Sequence, residues 1–269
     1  MKKIISWNIN GYRSIVGQNA SRKWDKVEKD NKLFRFIERE NPDILMLQET
    51  KAAREQINPE LQTATGYKAY YSNCRARKGY SGTAIFTKED PDEVFFDLDI
   101  EEFDCEGRLS GIRQGSTIYL GVYFPNGGKG EERIDYKLRY YDALFKWTEE
   151  KRGKGYEIVV SGDYNTAHKE IDLARPKENI NTSGFLLRER EKLDQIVEMG
   201  YTDSFRMFEN DGGQYTWWAA RGRAKERNVG WRIDYHFLTP GLVKDTKACY
   251  HLPDEPGSDH CPIILELED

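Results

Sequence analysis

The sequence predicts a layered α/β fold with two mixed β-sheets rather than a single doubly wound sheet. Three observations predict it. Short apolar, β-rich runs recur along the whole chain and outnumber helical stripes. Two of them, 108–114 and 116–124, are separated only by Gly115, which calls for an antiparallel hairpin. No Ser/Gly/Pro-rich linker and no repeat divides the 269 residues, so 1–269 is expected to form a single domain.

The elements follow in order. Lys3–Trp7 opens the chain as a strand. A helix is expected over Lys23–Glu40, with Trp24, Val27, Phe34 and Ile37 near a 3.6-residue period and Asn41-Pro42 as its stop. Strands are expected at Asp43–Gln48, Lys68–Ser72, Thr83–Thr87, Arg108–Ile112 and Ile118–Phe124. Ile134, Leu138, Tyr141, Phe145 and Thr148 form a second helical stripe, followed by Gly153. Glu157–Ser161 is the next strand. The third helix, Leu187–Met199, carries Leu193, Ile196 and Val197 and stops at Gly200. Arg232–Leu238 and Pro262–Leu267 complete the set. The apolar stripes are core packing rather than a cofactor box.

Composition excludes several classes. With 38% hydrophobic and 32% charged residues the chain is globular, not disordered. No run approaches the roughly 18 apolar residues of a membrane span. Ile4-Ile5 is too short for a signal-peptide core, so a cytoplasmic protein is expected. Cys74, Cys105, Cys249 and Cys261 contain no Cys-x-x-Cys pair, which reads as free thiols rather than a zinc site. A net charge of −5 disfavours binding by bulk electrostatics. Basic residues cluster locally, however, in Arg75–Lys78 and in 221–232 beside Trp231.

The ends of the predicted strands carry the chemistry. Asn8 and Asn10 follow the first strand, and Asp163 and Asn165 follow Val160-Ser161-Gly162; each pair would share a face in extended chain. Gly162 would allow close backbone approach. Glu49 ends one apolar run, Asp234 opens another, and Asp259-His260 leads into the last. Strand ends converge at a rim, and carboxylates with amides but no cysteine suit a hard cation such as Mg²⁺. A metal plus a histidine suits hydrolysis of a charged ester.

The chain resembles the exonuclease III family of abasic-site endonucleases, within the endonuclease/exonuclease/phosphatase fold. The resemblance rests on Trp7-Asn8-Ile9-Asn10-Gly11, Leu47-Gln48-Glu49-Thr50-Lys51, Lys78-Gly79-Tyr80-Ser81-Gly82, Tyr123-Phe124-Pro125-Asn126, Gly162-Asp163-Tyr164-Asn165, Gly230-Trp231-Arg232-Ile233-Asp234-Tyr235 and Ser258-Asp259-His260-Cys261-Pro262, in the family's order. It implies a four-layer α/β sandwich, two packed mixed sheets flanked by helices, with the site at one rim. It implies that Glu49 ligates Mg²⁺, with Mn²⁺ as an alternative, and that Asn10 and Asp259 stand on the metal side. Asp163 would orient or deprotonate the attacking water, a metal-bound hydroxide being the other candidate base. Asn165, Asn8 and Tyr123 would support the phosphate, and His260, held by Asp234, would contact a phosphate oxygen.

The implied function is hydrolysis of the phosphodiester 5′ to abasic sites in duplex DNA, in base excision repair, with 3′–5′ exonuclease and 3′-phosphatase activities at 3′ ends. The implied state is a monomer. Trp217, Trp231 and Ile233 match the positions lining the pocket for a flipped-out sugar, whereas Trp218 reads as core. Lys129 stands where some members carry Arg, giving a point charge in place of a planar fork. Arg221 takes the place of an apolar wedge. The rival readings are a phosphoesterase of the same fold acting on soluble esters, a secreted nuclease of the DNase I type, and a non-catalytic DNA-binding scaffold.

Overall fold

The computed structural model describes residues 1–19 and 31–268. In chain order the strands are β1 (Lys2–Asn8), β2 (Ile44–Gln48), β3 (Lys68–Ser72), β4 (Thr83–Thr87), β5 (Glu93–Phe95), β6 (Leu109–Gln114), β7 (Thr117–Tyr123), β8 (Glu157–Asp163), β9 (Thr202–Asp203), β10 (Trp217–Trp218), β11 (Gly230–Trp231), β12 (Asp234–Leu238), β13 (Thr246–His251) and β14 (Ile263–Leu267). They form one six-stranded sheet ordered β13-β14-β1-β2-β4-β3 and a second ordered β5-β6-β7-β8-β12-β9, with β10 and β11 as a separate two-stranded ladder. Both large sheets are mixed. β1/β2 and β7/β8 are parallel, and their other pairings are antiparallel. The hairpin at Gly115 is present as β6/β7.

Helices cover the outer faces. α1 (Lys32–Glu40) is capped by the Asn31 side chain, which accepts from the Phe34 N–H at 2.9 Å, and ends at a left-handed Asn41. Residues 23–30 of the expected first helix lie outside the described residues. Leu33, Phe36 and Ile37 of α1 pack on Ile5, Trp7, Leu45 and Leu47. α2 (Glu131–Arg152) and α3 (Leu187–Glu198) cover the other sheet through Tyr140, Tyr141, Leu144, Leu193 and Ile196. The expected α2 stripe omitted four buried members, Tyr136, Tyr140, Leu144 and, the one charged residue among them, Lys137. Between the sheets Ile4, Ile44, Met46 and Ile85 meet Ile112, Tyr119, Val159 and Leu238. The result is the four-layer sandwich. Each fully buried Ile or Leu in these layers stabilises the fold by about 1.5–3 kcal/mol.

Strand alternation then decides which side chains enter the seam between the sheets. In β8, Ile158 and Val160 belong to the helix-facing cluster, so Val159, Ser161 and Asp163 face the seam. In β1, Ile5 and Trp7 pack beneath α1, so Ile4, Ser6 and Asn8 face the seam. By the same alternation Tyr123 of β7 and Asp234 of β12 point inward at the same end. Gly162 (φ 145°) permits this junction: a Cβ there would lie 1.9 Å from the Val122 carbonyl oxygen.

Besides the short strands β5, β9, β10 and β11, which were not expected, two longer elements differ from expectation. β12 begins at Asp234, not Arg232, because the Arg232 backbone N–H donates to the Asp172 carbonyl at 2.6 Å instead of joining the ladder, and its buried guanidinium turns aside to the Asp172 and Asp203 carboxylates. β13 has no counterpart among the expected strands; its Thr-Lys-Ala-Cys-Tyr-His sequence lacks an apolar run.

His236 of β12 lies buried in the seam. Its Nδ1 contacts the Ser161 hydroxyl at 2.6 Å and its Nε2 the Ile263 carbonyl at 3.2 Å; the carbonyl requires a proton on Nε2, and in the neutral ring Nδ1 accepts from the hydroxyl. Burial lowers its pKa from 6.5 to about 4. Between those values the unfolded chain binds the extra proton, so stability falls as pH drops through this window, by about 3 kcal/mol at most. In urea unfolding, the stability advantage of wild type over His236→Gln is expected to shrink by about 2 kcal/mol between pH 7 and pH 5. Parallel pH profiles would contradict this.

Candidate active site at the rim of the sheet seam

Strand register assembles the floor of the site. Tyr123 pairs with Asp163 across β7/β8, and Asp163 pairs with Asp234 across β8/β12. On the facing sheet Asn8 pairs with Gln48, which sets Asn8 beside Glu49. His260 precedes β14 and is strapped to β1 by three hydrogen bonds. Trp7 Nε1 donates to its carbonyl at 3.1 Å, its own N–H donates to Ser258 Oγ at 3.2 Å, and Ser258 Oγ donates to the Asn8 carbonyl at 2.6 Å.

A charged cluster results. His260 Nδ1 lies 2.9 Å from Asp234 Oδ2, and Nε2 lies 3.8 Å from Asp163 Oδ2. Asp234 Oδ2 also accepts from Thr216 Oγ1 at 2.6 Å. Burial disfavours the charged ring, but Asp234 and then Asp163 outweigh it and lift His260 to about 10. His260 is therefore an imidazolium at neutral pH. Asp163 is pushed up to about 7, first by burial and also by Asp234, against the pull of His260. Its Oδ1 accepts from the Asn165 N–H at 2.8 Å and its Oδ2 from Asn8 Nδ2 at 2.8 Å. Tyr123 keeps its proton: burial, then Glu49, raises its pKa well above the usual value.

The expectation that Asn8/Asn10 and Asp163/Asn165 share faces of extended chain is not met. Asn10, Glu49, Lys51 and Asn165 all adopt positive φ, near 50°. Each strand thus breaks immediately after its last paired residue, and the left-handed turn re-aims the next polar side chain. Asn10 N–H donates to Asn8 Oδ1 at 3.1 Å, and its side chain donates to Asp259 Oδ1 at 2.9 Å. Asn8 itself is fully buried and spends its amide on Asp163 and Glu49 (3.0 Å). Asn165 accepts from Asn126 Nδ2 at 3.0 Å and donates to the Phe124 carbonyl at 2.9 Å.

Lys51 carries a second, unforeseen part of the site. Its ammonium sits 2.7 Å from Glu49 Oε2 and also donates to Asn10 Oδ1. Burial would raise the Glu49 pKa, but Lys51 holds the carboxyl below its ordinary value. Only its place in a motif, two residues after Glu49, could have flagged it.

This arrangement tests the fit of a metal. Glu49, Asp163 and His260 offer ligand atoms within 4.8 Å of one another. A protonated imidazole has no lone pair to give, so the usable donors are oxygens: the Glu49 carboxylate and the Asn10 amide, which already face the Lys51 ammonium, with the Asp163 carboxylate close by. That set fits a hard divalent cation. Asp259 lies alongside, with Oδ1 on Asn10 and Oδ2 accepting from Trp217 Nε1 at 3.1 Å.

These groups open onto a cleft of about 390 Å³. Trp217, Trp231 and Ile233 form its apolar side, with Trp217 and Trp231 edge-to-face at 6.4 Å. Thr182, Ser183 and Gly184 form a further wall; Ser183-Gly184-Phe185 belongs to the family resemblance, but no site role was expected for it. Trp218 is buried in a separate cluster, as expected. Lys129 and Arg221 do not line the cleft. Lys129 lies 5.6 Å above the Tyr80 ring, and Arg221 is exposed on the 219–229 turn. The four cysteines are free thiols. Among the described residues no helix is long and apolar enough to cross a membrane.

The model of the Endonuclease/Exonuclease/phosphatase family matches residues 5–260. The chain belongs to this family. It is 38% identical to an exodeoxyribonuclease of Bacillus subtilis over 264 residues, covering 98% of both proteins. It is 36% identical to a DNA-(apurinic or apyrimidinic site) endonuclease of Dictyostelium discoideum, covering 99% of this chain and 70% of that protein. Among solved structures, an AP endonuclease from Archaeoglobus fulgidus superposes with a TM-score of 0.86 at 29% identity, covering both chains fully.

The electrostatics give a measurable outcome. In metal-free protein, NMR of the His260 ring is expected to show an imidazolium well above pH 8, and Asp234→Asn should move the titration down toward 6.5. An unshifted titration in Asp234→Asn would contradict the assignment of Asp234 as the group that holds the charge.

Proposed function

We propose that the protein is a Mg²⁺-dependent DNA repair nuclease that hydrolyses the phosphodiester 5′ to abasic sites in duplex DNA. One observation carries this reading. Asp163 and a His260 that is charged at neutral pH face one cleft whose opposite side is the apolar Trp217–Trp231–Ile233 surface. A charged ester and a base-less sugar suit those two sides. The relatives named for DNA endonuclease and exodeoxyribonuclease activity support the same substrate class.

The residues divide the work. Asp163, buried and near neutrality in pKa, holds the attacking water and accepts its proton. His260 donates from Nε2 to a non-bridging phosphate oxygen, and Asp234 with Thr216 keeps the ring oriented. Tyr123 and Asn165 support the phosphate, while Asn8 aligns Asp163 with Glu49. Glu49, Asn10 and Asp259 hold Mg²⁺, or Mn²⁺ in its place; the cation, when bound, neutralises charge developing on the phosphate. The surface residues Lys129 and Arg221 contact the flanking duplex. The same site accepts 3′ termini, giving 3′–5′ exonuclease and 3′-phosphatase activity. The protein acts as a cytoplasmic monomer.

A duplex carrying one tetrahydrofuran residue tests the reading. Nanomolar enzyme should incise it with Mg²⁺ and not with chelator. Asp163→Asn and His260→Ala should each lower the rate by 10²–10⁴-fold or more while DNA binding persists. Absence of incision by wild type, or near-normal rates in either variant, would overturn it. Release of phosphate from soluble esters without incision would favour the rival phosphoesterase.

A further inference from the structure

Behind the cleft lies an ion pair shut off from solvent. Lys137 of α2 and Glu189 of α3 are each 0% exposed, with Nζ 2.6 Å from Oε1. Burial lowers the Lys137 pKa, and Glu189 opposes that shift. Neither side chain reaches the cleft, yet every further bond they make goes to a segment that does. Lys137 Nζ donates to the Asn165 carbonyl at 2.7 Å. Glu189 Oε2 accepts from the Gly184 N–H at 2.6 Å and the Leu186 N–H at 3.2 Å, and Oε1 accepts from Ser183 Oγ at 3.2 Å. The Gly184 carbonyl in turn accepts from the Ala167 N–H at 2.8 Å.

We infer that Lys137 and Glu189 are a positioning pair that fixes the Thr182–Gly184 wall of the cleft and thereby its fit to an extrahelical sugar. This rests on the abasic-site reading above. The wall belongs to no strand, and its backbone N–H groups have no ladder to join. The Glu189 carboxylate accepts the Gly184 N–H and, just past the wall, the Leu186 N–H, while the Thr182 N–H donates to the Asn179 carbonyl. The fit is tight on both sides. A Cβ on Gly184 would lie 3.1 Å from the Asn165 carbonyl oxygen and 3.2 Å from Trp231 Cζ3, so wall, phosphate-side loop and indole already touch. From the other side, a Cβ on Gly127 would reach Ser183 Oγ at 2.5 Å and Ile134 Cγ1 at 2.8 Å. Lys137 ties that wall to the left-handed Asn165, whose N–H holds Asp163. One buried charge pair thus sets the spacing between the sugar wall and the water-activating acid.

The test uses the full-length protein with both charges removed together, Lys137→Met/Glu189→Leu, because apolar replacement of a buried pair spares the fold where a single change strands a charge. Circular dichroism and thermal melting confirm folding. Steady-state kinetics are then measured on the tetrahydrofuran duplex and on bis(p-nitrophenyl) phosphate, a diester with no sugar to seat. The expected result is a loss on the order of 10²-fold in kcat/KM for the duplex, mostly in KM, with a much smaller loss on the small diester, which feels only the Lys137 link through Asn165. Gly127→Ala pushes on Ser183 while leaving both charges in place, its Cβ meeting Glu189 Oε1 only at van der Waals distance (3.5 Å), and should give the same signature; it serves as the test if the double variant does not fold. Unchanged duplex kinetics in the folded variants, or equal losses on both substrates, would overturn the positioning role. Failure of wild type to incise the duplex would instead overturn the abasic-site reading on which it rests.

Discussion

Everything at the site depends on the side-chain alternation of strands packed face to face. A strand buries one set of residues under a helix and offers the other set to the facing sheet. Because Ile158 and Val160 are committed to the helix layer, Asp163 has no choice but the seam. The same logic sends Asn8, Tyr123 and Asp234 inward at one end, and the parallel pairs β1/β2 and β7/β8 bring their carboxyl ends to the same rim. A one-residue slip in β8 would place Asp163 against α2 and leave the cleft without its acid.

The seam also explains the charge state. Two carboxylates and an imidazole buried together are costly unless they compensate one another. Here the ring takes a proton and the acids share its field, so His260 stays charged while Asp163 is lifted toward neutrality. Across the cleft, Glu49 meets Lys51 and is held low. The acids of one site therefore differ in proton affinity, which separates a proton acceptor from a cation ligand.

Much of this was legible in the sequence, and the omissions share physical causes. The layered class followed from strand runs and the Gly115 hairpin, and the polar residues at strand ends did converge. Reading Asn8/Asn10 and Asp163/Asn165 as extended pairs failed because Asn10 and Asn165 are left-handed, a state that local polarity hints at but does not specify. Lys51 stood out only as the end of a motif, and Lys137 not at all. One faces the cleft and the other is sealed in the core, and only tertiary contacts distinguish them. β13 was missed because its strand character comes from pairing with β14 rather than from its own composition.

The most direct measurement is a crystal structure of the inactive Asp163→Asn protein bound to a short duplex with one tetrahydrofuran residue. The scissile phosphate is expected beside His260 Nε2 and Asn165, with the base-less sugar against Trp231 and the Ser183–Gly184 wall. A phosphate seated instead on the Arg75–Lys78 or 221–227 basic segments, with the rim of the seam unengaged, would contradict the account.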